Sequence, residues 1–377
     1  MSTAADVTTT TEPVGAPGTA NDLANDLADD PADGPADDPG TLRAPGVLRA
    51  AAPVAGARIL GVGGYRPTRV VGNEEVAGPI DSSDEWIRRR SGIAARRFAG
   101  PDESLVTMAA AAAVKALAHA GVAPENVDTL LLATMSHLEQ SPPAAPRVAH
   151  LVGATHAGAV DLGAACAGFC HALALADGLV RSGHSRYVVV VGAERMSDLI
   201  DPADRGTAFL FGDGAGAVVV GPAARPGIGP VVWGADGSRP GAIAHAHGWR
   251  DLRSADPPPW PTLRMEGPAV FRWAVETVPR VGREALAAAG VAPEDLAAFV
   301  PHQANLRIVD AAADALKLPA SVAVARDVVD TGNTSAASVP LALERLLSEG
   351  AAGPGGLALL VGFGAGLSFA GQVVELP

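Results

Sequence analysis

Residues 115–134, KALAHAGVAPENVDTLLLAT, and residues 284–303, EALAAAGVAPEDLAAFVPHQ, are two versions of one pattern set 169 residues apart. In each, an alanine-rich helical run stops at a glycine, a GVAPE turn follows, and a short apolar run leads away. Glycine just past a helix end accepts the left-handed backbone that the cap requires. A helix–turn–strand unit recurring at near half the folded length predicts two similar α/β halves produced by duplication; the plainer alternative is chance recurrence of a common unit. A cleft between two such halves is a natural place for a ligand.

Working outward, short apolar runs bounded by Gly, Asp or Pro predict buried strands: ARILGVGGY, VDTLLLATM, RYVVVVGAE, GAGAVVVG, AAFVPH, GLALLVGFG and GQVVEL. Longer Ala/Leu-rich segments predict helices: ESLVTMAAAAAVKALAHAG, AGFCHALALADGLVRSG, PAVFRWAVETVPRVGREALAAAG and SVPLALERLLSEG. Their alternation gives an α/β layered fold, and continuous apolar strands imply sheets covered on both faces. The chain has 377 residues and is 48% hydrophobic but only 4% aromatic, so Ala, Val and Leu must fill the core. The expected division is an acidic tail over 1–55, an N-terminal half over 56–225 and a C-terminal half over 226–377.

The formal charge is −13, and residues 1–55 hold nine acidic residues against two basic ones. That stretch is rich in Pro, Gly, Asp and Ala and cannot bury enough apolar surface to order itself, so disorder is expected. The acidic balance and the lack of a basic stripe argue against nucleic-acid binding. Without a basic start followed by an apolar core, or a run long enough to cross a bilayer, no secretion or membrane insertion is expected. Two cysteines offer no disulfide framework, which fits a reducing, cytoplasmic setting. GVGG at 61–64 and GDGAG at 212–216 do not continue as phosphate-binding loops and predict tight turns or close packing. The HAH at 245–247 has no carboxylate or cysteine beside it, so no metal site is expected there.

Both cysteines fall in DLGAACAGFCHALALADGLVRSGH, residues 161–184. Cys166 lies at a strand-to-helix junction, where orphan N–H groups and the positive helix end favour a thiolate. Cys170, one turn further in, reads as a small buried hydrophobe. Position alone leaves Cys166 open between nucleophile and buried thiol. VPHQANLRI sets His302 straight after an apolar strand, and DTGNTSAASVPLALERL sets Asn333 in a turn that opens a helix. Such junctions are where catalytic groups collect in open α/β sheets.

AACAGF around Cys166, DRGTAFLFGDGAGAVVV at 204–220, PHQANLRI at 301–308 and GNTSAASVP at 332–340 resemble β-ketoacyl-acyl-carrier-protein synthase III, of the thiolase-like superfamily. DSSDEWIRRRSGI at 81–93 resembles the same family's coenzyme A-binding segment. The resemblance runs in order from about residue 57 to the C-terminus. ERMSDLIDPADRG and DTGNTSAASV further resemble the branch that primes aromatic polyketides. It implies a thiolase-like fold of two halves layered α-β-α-β-α, with no cofactor and no metal.

The activity implied is acyl transfer from an acyl-coenzyme A to Cys166, then decarboxylative condensation with malonyl-acyl carrier protein. His302 and Asn333 would hold the enolate oxygen, and the backbone N–H groups of Cys166 and Ala365 a separate oxyanion hole. Phe363 would gate the nucleophile. Trp86 and Arg205 would sandwich the adenine, with Arg90 near phosphate. Arg272 and Arg307 would meet the carrier protein and its phosphopantetheine. Ser141, reaching in from the other subunit of a homodimer, and Phe211 would bound the acyl pocket. A small Ser141 would leave room for more than acetyl, and Pro268 would remove a polar pantetheine contact. Among relatives, GFGAGLSF lacks the second cysteine of a biosynthetic thiolase, and Asn333 stands where elongating ketosynthases use a second histidine. The alternative is an acyltransferase of the same fold that moves the acyl group without decarboxylation. A papain-like hydrolase shares the Cys-His-Asn order but lacks its local cysteine signature.

Overall fold

Two five-stranded sheets built on one plan organise the computed structural model, which describes residues 51–377. The first contains β1 (Gly56–Tyr65), β2 (Thr129–Ala133), β3 (Gly158–Leu162), β4 (Val188–Arg195) and β5 (Asp213–Ala223), in the order β1-β5-β4-β2-β3. The second contains β6 (Val232–Gly234), β7 (Leu296–Pro301), β8 (Ala323–Val324), β9 (Leu357–Gly364) and β10 (Ser368–Glu375), in the order β6-β10-β9-β7-β8. In both, the first three strands of that order pair antiparallel and the last three pair parallel.

The helices of eight residues or more are α1 (Asp84–Ser91), α2 (Leu105–Ala120), α3 (Ala144–Val152), α4 (Gly168–Arg181), α5 (Gly267–Ala289), α6 (Leu306–Leu316) and α7 (Ser338–Ser348). Helices α4 and α7 lie in the core shared by both sheets, α2 and α3 cover the outer face of the first sheet, and α5 and α6 cover that of the second. The result is five layers, α-β-α-β-α. The run Val188–Val191 shows why the strands carry no polar alternation. Val188 and Val190 enter the central core, Val189 and Val191 enter the outer one, and all four are fully buried. Each such valine contributes about 1.5–3 kcal/mol by leaving water.

Both copies of the repeat fold alike. Helix α2 ends at Gly121 (φ 64°) and α5 at Gly290 (φ 66°); single 3-10 turns at Pro124–Asn126 and Pro293–Asp295 lead into β2 and β7. The sequence patterns did not anticipate α1, α3, α6, β3, β6 or β8. Strand β3 is short, polar at Asp161 and partly exposed at the sheet edge, so neither apolar continuity nor alternation marks it. The disorder expected over 1–55 lies outside the described residues as far as 50. Residues 51–55 are exposed, and the Val54 N–H donates to the Arg181 carbonyl at the end of α4.

GVGG is a packing device. A Cβ on Gly61 or Gly63 would meet α2 backbone atoms at 2.4 and 2.3 Å, so these glycines let the helix lie directly on β1. Gly63→Ala is expected to destabilise the protein by about 1–3 kcal/mol through overpacking. Gly237→Ala, on an exposed residue with open space around it, should leave the denaturant midpoint unchanged. Equal midpoints for the two variants would disprove this account of the motif.

Candidate active site

Beyond β3 the chain makes one 3-10 turn, Ala165–Ala167, and then enters α4 at Gly168. Ala165 takes a left-handed φ of 46°, and the turn leaves Cys166 at the N-terminal end of the helix, 8% exposed. Cys170 is fully buried one turn later, and both thiols are free. Burial pushes the Cys166 thiol up to about 12; a hydrogen bond with Ser335 opposes this and the charge of Glu194 adds to it. The thiolate expected from the helix end is therefore corrected. Burial opposes the thiolate and favours the protonated thiol in the free protein. Cys170 is likewise pushed up to about 12 by burial.

His302 follows β7, and its N–H donates to the Val361 carbonyl on β9. Burial pulls its imidazole down to about 3, so the ring is neutral. Nδ1 lies 2.6 Å from the Ser338 Oγ, which also accepts the Gln303 N–H at 3.3 Å. A serine hydrogen pointed at Nδ1 would place the ring hydrogen on Nε2, where it can donate into the cavity.

Asn333 is pinned through its backbone, donating to the Leu210 carbonyl and accepting from the Gly212 N–H. Its Oδ1 accepts the Ser335 N–H at 2.8 Å, which fixes the amide and leaves Nδ2 as the donor on offer.

The three side chains line one cavity of about 570 Å³. Phe363 lies on its wall, 2% exposed, with its ring edge-to-face on His302 at 5.0 Å between centroids. Gly364 follows, and there a Cβ would stand 2.8 Å from the Cys166 Cβ, so glycine lets β9 reach Cys166. Ala365 opens the 3-10 turn Ala365–Leu367 as Ala165–Ala167 encloses Cys166, and the first N–H groups of such turns lack partners within them. Phe211, 3% exposed, lies on the wall beside Asn333, to which it is bridged.

The mouth is cationic. Arg90, Arg205, Arg272 and Arg307 line it, all exposed, and among the described residues none of the four forms an ion pair. Arg205 lies over the Trp86 ring at 5.0 Å from its centroid, and Arg307 covers Phe271 at 5.1 Å. A flat ring sandwiched between Trp86 and Arg205 needs about 7 Å, two contact distances. The two side chains are thus in direct contact, and an adenine would have to displace the guanidinium. Pro268 opens α5 on the cavity wall and presents no N–H there. Ser141 is the expected residue that is not brought in: it is exposed and does not line its own chain's cavity.

Sequence reasoning missed Gly364, Ser338, Ser335 and Glu194. Gly364, Ser335 and Ser338 sit within recognised motifs, and Glu194 opens the ERMSDLIDPADRG stretch, but no spacing ties it to Ser335.

Residues 160–237 match the family 3-oxoacyl-[acyl-carrier-protein] synthase III, and residues 286–376 its C-terminal portion. A β-ketoacyl-[acyl-carrier-protein] synthase III of Streptomyces glaucescens is 53% identical over 85% of this chain and 96% of its own length. One from Streptomyces lividans is 55% identical over 85% and 94%. The crystal structure of the priming β-ketosynthase of the R1128 polyketide pathway covers 88% of this chain and 99% of its own, with TM-score 0.85 and 53% identity. The synthase III of Aquifex aeolicus gives 0.78 at 37% identity, over 85% of this chain and 100% of its own.

The shifts fix how stability depends on pH. Cys166 keeps its proton in the folded state up to about 12, while the unfolded thiol loses it near 9. Above pH 9 the folded protein binds the extra proton, so stability falls by about 1.4 kcal/mol per pH unit for this group. His302 acts in the other direction, weakening the fold as pH drops from about 6.5 toward 3. Cys166→Ala should therefore lose less melting temperature than wild type between pH 8 and pH 10.5. Parallel melting curves would refute the buried-thiol account.

Proposed function

The chain belongs to the 3-oxoacyl-[acyl-carrier-protein] synthase III family, and from that premise we propose that Cys166, His302 and Asn333 carry a two-step condensation of an acyl-coenzyme A with malonyl-acyl carrier protein. The protein is an acyltransferase of the ketosynthase kind, serving initiation of fatty acid or polyketide synthesis. The observation that supports the residue roles is the shared cavity, in which one thiol faces two neutral, backbone-anchored donors.

In the first step the Cys166 sulfur attacks the thioester carbonyl, its proton leaves, and coenzyme A departs as the thiol. The N–H groups of Cys166 and Ala365 stabilise the tetrahedral oxyanion. In the second step the malonyl carboxylate leaves as carbon dioxide and its electron pair becomes an enolate. Nε2–H of His302 and Nδ2–H of Asn333 hold the enolate oxygen while its carbon attacks the acyl group, expelling the Cys166 thiolate. Donors that are neutral and fixed cost nothing to reorient as that charge appears.

Arg90, Arg205 and Trp86 would take the nucleotide end of coenzyme A once Arg205 turns off the indole. Arg272 and Arg307 would receive the acidic carrier and its phosphopantetheine, a local attraction that works against the chain's overall negative charge. Phe363 is read as the gate, and Phe211 as part of the acyl pocket. We further assign a homodimer in which Ser141 of the partner subunit bounds that pocket and leaves space for four- to six-carbon acyl groups. The halves 56–225 and 226–377 are read as duplicates of one α/β unit, and a reducing, cytoplasmic compartment would keep the thiol competent.

Intact-protein mass after incubation with acyl-coenzyme A thioesters should show one acyl adduct on wild type and none on Cys166→Ala. No adduct with any thioester would refute the assignment, and a clear preference for acetyl would remove the enlarged pocket. His302→Ala and Asn333→Ala should still acylate but lose about 10²–10³-fold in condensation. Arg272→Glu with Arg307→Glu should raise KM for the carrier protein at least tenfold while leaving the acylation rate within threefold; equal losses in both steps would contradict the docking role.

A further inference from the structure

A buried carboxylate lies behind the nucleophile, and none of the roles above uses it. Glu194, at the end of β4, is fully buried and receives six donor groups. Thr134 Oγ1 and the N–H groups of Met135 and Ser136 each reach its Oε2 at 3.1 Å, and the Ser136 hydroxyl, which itself accepts the Arg195 N–H, donates to the same oxygen at 2.5 Å. Across the seam, Ser335 Oγ donates to Oε1 at 2.9 Å and the Ala336 N–H approaches it at 3.4 Å. Three main-chain N–H groups and three hydroxyls converge on it, a donor set that suits a carboxylate, while burial pushes its pKa up. Ser335 has a φ of 47°, and the turn it opens, Ser335–Ala337, packs on the turn Ala165–Ala167 that holds Cys166.

We propose that Glu194 is a positioning residue for the nucleophile and for Asn333, acting through Ser335. Its carboxylate takes the Ser335 hydroxyl hydrogen, which turns the serine lone pairs toward the Cys166 sulfur. It also holds the turn whose N–H fixes the Asn333 Oδ1. The free thiol is thereby kept protonated, and when the sulfur gains negative charge the serine hydrogen must leave Glu194 for the sulfur. The other titratable groups around the sulfur are neutral His302 and the Cys170 thiol on α4. This inference rests on the reading of Cys166 as the nucleophile.

Glu194→Gln separates this role from simple structural support. One amide oxygen can keep the backbone donors at the Oε2 position, which leaves the NH₂ facing Ser335. The serine must then accept, and its hydrogen points at the sulfur. The measurement is the rate of iodoacetamide labelling of Cys166 at pH 8, localised by peptide mass, on variants whose melting curves show folding. Glu194→Gln should label more than threefold faster than wild type. Ser335→Ala, which removes the donor, should label more than threefold slower, and the double variant should follow Ser335→Ala. A change smaller than threefold in Glu194→Gln, or shifts of both variants in one direction, would overturn the proposal. If Glu194→Gln does not fold, Ser335→Ala decides alone: slower labelling supports the link, and unchanged or faster labelling overturns it. The probe needs no thioester, so failure of wild type to take any acyl group would refute the ketosynthase roles without touching this result.

Discussion

The contact on which the site depends is backbone against backbone at the seam between the two sheets. Gly192 on β4 faces the Ala336 carbonyl, where a Cβ would lie 2.2 Å away, and Gly364 faces Cys166, where it would lie 2.8 Å away. Main chain cannot yield to an added methyl as a flexible side chain can, so these glycines let β4 and β9 lie directly on the turns that carry Ala336 and Cys166. They also bring together turns from distant parts of the chain: Ala165–Ala167 after β3, Ser335–Ala337 before α7, and Ala365–Leu367 after β9. Each turn leaves N–H groups or a side chain facing the cavity. Catalytic geometry here is a consequence of how two sheets close on α4 and α7.

The like plans of the sheets give the seam its division of labour. The first sheet and α4 supply Cys166, whereas β7, β9 and the loop before α7 supply His302, Phe363 and Asn333. Neither sheet supplies the whole set. Charge follows depth as well. Four arginines stand at the mouth, the cavity wall is largely apolar, and the one carboxylate close behind the nucleophile is shielded by its donors. An anionic ligand at this entrance would meet cations, and any part of it reaching Cys166 would enter a low-dielectric interior.

Much of this was legible because the chain punctuates itself. The paired GVAPE turns marked two units that fold alike, apolar runs gave most strands, and glycines at helix ends gave the caps. Cys166, His302 and Asn333 were visible as polar residues at element junctions, and the resemblance then supplied their roles. What escaped has physical reasons. Strand β3 is an exposed edge, so its pattern is neither continuous nor alternating. Whether Cys166 is a thiol or a thiolate depends on burial from several distant elements, and a local helix-end argument cannot weigh that. Glu194 is separated from Ser335 by 141 positions in sequence, and nothing near it announces a partner. The stacking of Arg205 on Trp86 is a side-chain choice that spacing does not encode.

Free of substrate, the reacting groups carry no charge. The thiol holds its proton, the imidazole is neutral, and the asparagine cannot ionise. A thiolate–imidazolium pair would be more reactive, yet a buried imidazolium would also be a poor companion for the second step. A malonyl carboxylate drawn to a fixed positive charge would be stabilised before it is lost, and stabilising the ground state slows decarboxylation. Neutral donors avoid this, because their interaction with the thioester oxygen strengthens only as the enolate forms. The cost falls on the first step, where a reluctant thiol must lose its proton. That is where a switchable hydroxyl between Glu194 and the sulfur matters most: it supplies a hydrogen bond to sulfur only when sulfur becomes negative.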